Sequence, residues 1–254
     1  METDDRPRYA QIADELGRRI DAGIIGVGLP FPSDAQLQEE FSVARNTVRQ
    51  ALDVLRAQGR IHTVKGRGSY VRPRVPARRV AASRYKADVS STPDRPQTAV
   101  THDYGIPFSQ HNPDVVIARE SASPEVAELF QVEAGTPLVR RDLVFRLEGW
   151  PTHMSTSFYL AEMVDGTWVA GPGSEPAPGG AIGHLASLGV RVTRVLETVE
   201  SRMPSPREAE VLRMSAGPVL AITRRMLADG RVVEVAREIV YPGDGVRLEY
   251  EVDL

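Results

Sequence analysis

The stretch "RNTVRQALDVLRAQGRIHTVKGRGSYVRP", residues 45–73, changes hydrophobic period partway along. In its first half Val48, Ala51, Leu52 and Leu55 fall on one helical stripe, with Asn46, Gln50 and Asp53 opposite and Arg45, Arg49 and Arg56 along one flank. After Gly59 the pattern turns to alternation of apolar and polar residues around a Gly66/Gly68 tip, as a two-stranded hairpin requires. A helix over residues 45–58 that runs straight into a hairpin leaves few architectures open.

The residues before it narrow the choice further. Tyr9, Ile12, Ala13, Leu16 and Ile20 recur at helical spacing up to Gly23. The segment "GIIGVGLPFPSD" breaks that helix with glycine and proline, and Ser33 is placed to cap a short helix through Phe41, with Leu37 and Phe41 facing inward. Helix, short helix, tight turn, helix, then hairpin is the plan of a winged helix-turn-helix. From Arg45 to Arg79 the chain carries ten basic residues and one acid, Asp53. Residues 1–80 hold 14 basic and 10 acidic side chains, +4, while residues 81–254 hold 17 and 24, −7. The basic half suits a polyanion and the acidic half does not.

On this plan the third helix enters the major groove of double-stranded DNA with its N-terminal residues at base edges, and the hairpin tip reaches phosphates or the minor groove. The candidate DNA-binding residues are therefore Ser33, Arg45, Asn46, Thr47, Arg49, Gln50, Lys65, Gly66, Arg67 and Gly68. An ordinary solvated helix face is the plainer alternative for the polar residues among them, and Arg56 and Arg60 suit packing as well as they suit phosphate.

Residues 73–98, rich in Pro, Arg, Ser and Asp, read as a linker with one short ordered piece around "RRVAASRY". Beyond it come strand-like runs, "DVVIARE", "PLVRRDLVFRLE", "PTHMSTSFYL", "VRVTRVLETVESRM", "VLAITRRMLAD", "RVVEVAREIVY" and "VRLEYEVDL". The helix-like segments "PEVAELFQV", "GGAIGHLASLG" and "SPREAEVLRM" lie between them. The expectation is an α+β chain: a DNA-binding domain over 1–73, a linker over 74–98, and a domain over 99–254 whose strands share one antiparallel sheet.

With no cysteine there is no disulfide framework and no thiolate metal site. The five histidines show no metal-ligand spacing, and neither a nucleophile elbow nor a phosphate loop occurs, so no cofactor, no metal and no enzymatic activity are expected. The polar opening "METDDRPRYAQ" and the lack of a long apolar run suggest a cytoplasmic protein without membrane contact.

"YAQIADELGRRIDAG" and "LPFPSDAQLQEEFSVARNTVRQALDVLRAQGRIHTVKGRGSYV" strongly resemble the DNA-binding domain of the GntR family of bacterial transcription regulators. "LEGWPTHMSTSFYL", "LGVRVTRVLETVES" and "SPREAEVLRMSAGPVLAITRRMLADGRVVEVAREIVYPGD", in that order, resemble the effector-binding UTRA domain of the HutC-like branch, which has the chorismate-lyase-like fold. The resemblance implies a homodimeric regulator, most simply a repressor released from an inverted-repeat operator by a small-molecule effector. It leaves two rivals: a catalytic second domain, or a constitutive or plasmid-maintenance repressor whose C-terminal domain only dimerises.

The departures from the family pattern are specific. Asp34 and Ala35 stand where relatives carry Glu and an Arg able to read guanine. Ala44 replaces the Ser that caps the recognition helix, so Ser42 or a shifted helix start must supply the cap. In the second domain, strand alternation puts Ser155, Ser157 and Tyr159 on one face and Met154, Thr156 and Phe158 on the other. The resemblance makes the hydroxyl face one wall of an effector site, adds Glu197 and Glu234 as acids at the ligand, and leaves Arg141 as its remaining base. Cross-strand ion pairs are the alternative for the acids. Leu143 and Phe145 occupy the positions where relatives that sense sugar phosphates carry Arg-x-Arg, which disfavours a phosphorylated sugar.

Overall fold

Apolar stripes draw the first three helices together. In a computed structural model that describes residues 6–64, 68–72, 76–147, 149–171, 175–214 and 216–250, these are α1 (Arg8–Asp21), α2 (Asp34–Phe41) and α3 (Arg45–Ala57). Ile12, Ala13 and Leu16 of α1 pack with Leu37 of α2 and with Val48, Ala51, Leu52 and Leu55 of α3, all essentially buried. Each large aliphatic side chain so placed contributes roughly 1.5–3 kcal/mol of transfer free energy.

The hairpin β1 (Ile61–Val64) and β2 (Gly68–Val71) closes this core through Ile61 opposite Val71. The α1–α2 connection secures the other edge of β2, where Gly28 N–H donates to Val71 O at 3.1 Å and Phe31 N–H to Ser69 O at 2.7 Å. Arg56 donates to Thr63 Oγ1 at 2.9 Å and Arg60 to Gly17 O and Asp21, both at 2.9 Å, so these two arginines bind the fold together.

The second body of the chain runs through β3 (Ala77–Val80), α4 (Ala81–Val89), α5 (Ala99–Tyr104), β4 (Asp114–Ser121), α6 (Pro124–Phe130), β5 (Pro137–Leu147), β6 (Trp150–Leu160), α7 (Ala161–Val164), α8 (Gly180–Ser187) and β7 (Arg194–Arg202). After α9 (Pro206–Val211) it ends with β8 (Val219–Ala228), β9 (Arg231–Pro242) and β10 (Val246–Glu249). The compact units are Met1–Arg74 with Ser205–Gly217, and Val75–Pro204 with Pro218–Leu254. Six strands form an antiparallel sheet in the order β4-β5-β6-β9-β8-β7. Because neighbouring residues of a strand point to opposite faces, Leu138 and Phe158 pack with α6 while Val139 and Tyr159 pack with α7 and α8.

Two expectations are corrected here. The last strand does not join the large sheet: β10 pairs in parallel with β3, from Val246 opposite Ala77 to Glu249 opposite Val80. The linker expected over 74–98 is, in its described part, folded into the second unit. Ala77 and Arg79 are buried, α4 follows directly, and Asp88 at its end accepts the backbone N–H of Ala99 at 2.6 Å. Its local composition resembles a loop because the partners that stabilise it lie far along the chain.

Candidate functional site

In the first unit α3 presents Arg45, Asn46, Arg49 and Gln50 to solvent, with Thr47 half-buried and Val48 in the core. The exposed side chains share the front of the helix because the stripe behind them is committed to packing. Arg45 makes only a loose surface pair with Asp34 at 3.7 Å and stays 71% exposed, which leaves it available to a polyanion. Ser33 caps α2 in a reciprocal box: its Oγ accepts Gln36 N–H at 3.3 Å and its own N–H donates to Gln36 Oε1 at 2.8 Å. Gly68 is exposed with φ 96°, a conformation that favours glycine. Lys65, Gly66 and Arg67 lie outside the described residues.

Ser42 does not cap α3. It ends α2 in the left-handed conformation, φ 52°, and the N-cap of α3 is Ala44, which offers no side-chain acceptor. Ala44→Ser is therefore expected to stabilise the first unit by about 1 kcal/mol, read as a higher urea midpoint, since the extended N-cap backbone already has the geometry that serine uses.

The second unit holds a cleft of about 80 Å³ between the sheet and the segment carrying β3, α4 and α5. The β5–β6 ladder builds one wall. Arg141 lies opposite Ser157, Leu143 opposite Ser155, and Phe145 opposite His153, so alternate residues of both strands face the cleft together. Tyr159 lines it beside them. Four of the expected ligand-site residues, Arg141, Ser155, Ser157 and Tyr159, are thus brought together.

Glu197 and Glu234 do not line the cleft but serve as counterions. Arg79 reaches Glu197 at 2.5 Å, and the Tyr85 hydroxyl donates to the same carboxylate. Arg224 binds Glu234 through Nε at 3.2 Å and Nη2 at 2.7 Å across the β8–β9 ladder. Arg84 clasps Asp103, Nη2 to Oδ2 at 2.9 Å, and Arg141 meets Glu175 at 2.7 Å. Burial alone would raise the Glu197 carboxyl, but Arg79 and Arg84 outweigh it and hold the group below its ordinary range. Each arginine at the cleft therefore has its own acid, as a charge out of water requires: Asp103, Glu175 and Glu234 are at most 7% exposed at their side chains, and Glu197 is 20% exposed.

An aromatic stack closes one end. The Phe145 and His153 centroids are 4.1 Å apart at 7°, those of His153 and Tyr241 4.5 Å at 13°, and those of His111 and Phe145 5.5 Å at 8°. Burial lowers His111 to about 4, and burial together with the nearby Arg79 drives His153 well below its ordinary value, so both rings are neutral at pH 7. No sequence pattern marks Arg79, Arg84, Asp88, His111, Glu175 or Arg224 as cleft residues. The first three lie in the stretch that resembles a linker, and burial of a paired charge leaves no local pattern.

Two family models match the chain: "Bacterial regulatory proteins, gntR family" over residues 8–71 and "UTRA domain" over residues 114–247. An uncharacterised helix-turn-helix transcriptional regulator of Streptomyces coelicolor is 28% identical over 236 residues, covering 91% of this chain and 87% of its own. The transcriptional repressor PhnF of Mycolicibacterium smegmatis is 25% identical over 241 residues, 93% of this chain and 89% of its own. The crystal structure of PhnF superposes with a TM-score of 0.52 over 95% of this chain and 99% of that one, and that of another GntR-family regulator, 26% identical, with 0.57 over 98% and 99%. With a recognition helix exposed on the first unit and the second unit built on the matching sheet, the chain belongs to the GntR family of bacterial regulatory proteins, in its UTRA-domain branch, and is a DNA-binding transcription regulator.

Proposed function

We propose that this regulator is a repressor which a small molecule releases from an inverted-repeat operator, that it acts as a homodimer in the cytoplasm, and that it performs no catalysis. The observation that carries this reading is the polar cleft of the second unit, in a chain whose first unit exposes the front of a recognition helix. PhnF, similar along most of its length, is named a repressor. No helix among the described residues is long and apolar enough to cross a membrane.

Release by a ligand is a coupling free energy: an effector that weakens DNA binding is itself bound more weakly on DNA by the same factor. Couplings of about 1–3 kcal/mol change either affinity roughly 5–150-fold. The cleft disfavours a sugar phosphate, because Leu143 and Phe145 line it and Arg79, Arg84, Arg141 and Arg224 each already hold an acid. A phosphate dianion would enter without surplus positive charge to receive it.

Fluorescence anisotropy on DNA from the gene's own upstream region, against a scrambled duplex and in a salt series, tests the reading. Selective binding that a metabolite extract weakens is the expected result. Selective binding that no extract changes would instead favour a constitutive DNA binder, and product formed from chorismate would favour an enzyme. Arg49→Ala is expected to weaken specific binding by about 1–3 kcal/mol while the fold persists, since Arg49 is exposed at the front of α3. An unchanged operator affinity would refute that docking.

A further inference from the structure

Two charged side chains on α4 keep hydrogen-bonding capacity at the cleft that the described residues do not use. Arg84, 3% exposed, gives Nε and Nη2 to Asp103, while its Nη1 has no hydrogen-bond partner and lies 3.7 Å from Glu197 Oε1. One helical turn later on α4, Asp88, 6% exposed, has a single hydrogen bond among the described residues, Ala99 N–H to Oδ1. A third group faces the same cleft from the turn after α5. His111, also 6% exposed, shares its Nδ1 with Thr98 Oγ1 at 3.3 Å and leaves Nε2 unpartnered. Thr98 Oγ1 already accepts Thr101 N–H at 3.1 Å, which lets its proton go to His111 Nδ1 and places the proton of the neutral ring on Nε2.

An unused guanidinium donor, a carboxylate with an unused oxygen and a neutral imidazole are of complementary type. Resting on the reading that the cleft binds the effector, we propose that Arg84, Asp88 and His111 form a subsite for a small zwitterion of the amino-acid class, its ammonium on Asp88 and its carboxylate on Arg84 and His111. Residues i and i+4 of a helix hold their Cβ atoms about 5–6 Å apart, which sets their polar ends at a spacing suited to a carboxylate and an ammonium carried by one α-carbon. The electrostatics agree. Because the other cleft arginines are balanced acid by acid, a ligand of zero net charge leaves that balance intact, whereas a dianion does not. Size agrees as well: about 80 Å³ is the liquid volume of roughly three waters, the scale of a small amino acid. All three residues precede the UTRA match at 114–247, Arg84 and Asp88 on α4 and His111 after α5.

The proposal carries a proton signature. Burial pushes Asp88 up to about 7, against the Ala99 N–H and the Arg84 and Arg224 charges that lower it, with Asp103 adding to the rise. An arriving ammonium needs the ionised form, so binding at pH 6 should release close to one proton, and affinity should fall roughly ten-fold from pH 8 to pH 6.

The experiment is thermal denaturation and calorimetry of the full chain with each of the twenty standard amino acids, the matching amines and deaminated acids, and a second panel of neutral sugars, sugar phosphates and simple carboxylates. Expected is a rise in Tm with at least one amino acid and with neither of its truncated analogues, proton release at pH 6, and at least a ten-fold loss of affinity in Asp88→Asn. Asparagine can still accept the Ala99 N–H, and the Tm of that variant without ligand tests that it folds. Should it not fold, proton release by the unmodified protein decides alone. Binding without proton release, or equal binding of the deaminated acid, overturns the proposal. If only the second panel stabilises the protein and loosens operator DNA, the zwitterion subsite fails while the effector reading stands. If neither panel acts, both fail.

Discussion

Asp103→Ala is expected to lower the stability of the second unit by about 3–5 kcal/mol, the largest effect of any single charge removal proposed for this chain. Asp103 and Arg84 are 0% and 3% exposed at their side chains and are joined by contacts of 2.9, 3.2 and 3.3 Å. Guanidinium cannot shed its proton to escape burial, so removing the acid leaves a cation with neither water nor a close partner. Glu197 lies 3.7 Å from Arg84 Nη1 and is already held by Arg79 and Tyr85, so it relieves little of that cost. Glu249→Ala is the control. It breaks a pair with Arg78, which is 68% exposed, and should cost no more than about 1 kcal/mol. Urea denaturation followed by tryptophan fluorescence isolates the unit concerned, because Trp150 and Trp168, the chain's two tryptophans, both belong to it. A loss below about 1 kcal/mol for Asp103→Ala would mean that Arg84 is solvated and that the charge pairing assigned to the cleft is wrong.

The same pair shows why some of this protein was legible in its sequence and some was not. The α3 stripe, the Ser33 cap and the alternation of β5 and β6 are local patterns, and Val48, Leu52 and Leu55 are buried where periodicity put them. The hydroxyl face of β6 was legible for the same reason, since period-2 alternation needs no knowledge of what lies opposite. Arg79 and Arg84 were not legible, because a buried arginine is written in sequence like an exposed one. Their acids, Glu197 and Asp103, stand 118 and 19 residues away. β3 was hidden similarly, its pairing partner β10 lying near the other end of the chain. Glu197 and Glu234 were placed near the cleft by resemblance, but their partners were set by which arginines the fold buried.

Acid should reveal the aromatic stack. In the unfolded chain a histidine titrates near 6.5, whereas His111 is lowered to about 4 and His153 well below 6.5 in the fold. A depressed folded value means that the neutral ring's stability is fully present above about pH 6.5 and erodes as pH falls toward the folded value. The slope is up to about 1.4 kcal/mol per pH unit for each histidine. Asp88 acts in the opposite sense. Its folded value, raised by burial to about 7, imposes a cost above pH 7 that is relieved as pH falls toward the ordinary carboxylate range. The raw profile of the protein therefore mixes the two and is shallower than either. A variant comparison separates them: His153→Phe keeps a flat ring between Phe145 and Tyr241 but removes the titration, although it gives up the contacts of Nδ1 with Thr152 and Tyr104. Relative to the unmodified protein, the variant should gain stability as pH falls from 7 to 4.5, by up to about 1.4 kcal/mol per pH unit below 6.5, measured from urea midpoints of tryptophan fluorescence. Parallel profiles for the two proteins would show that His153 is protonated within the fold, and the stack would then be cationic at its centre.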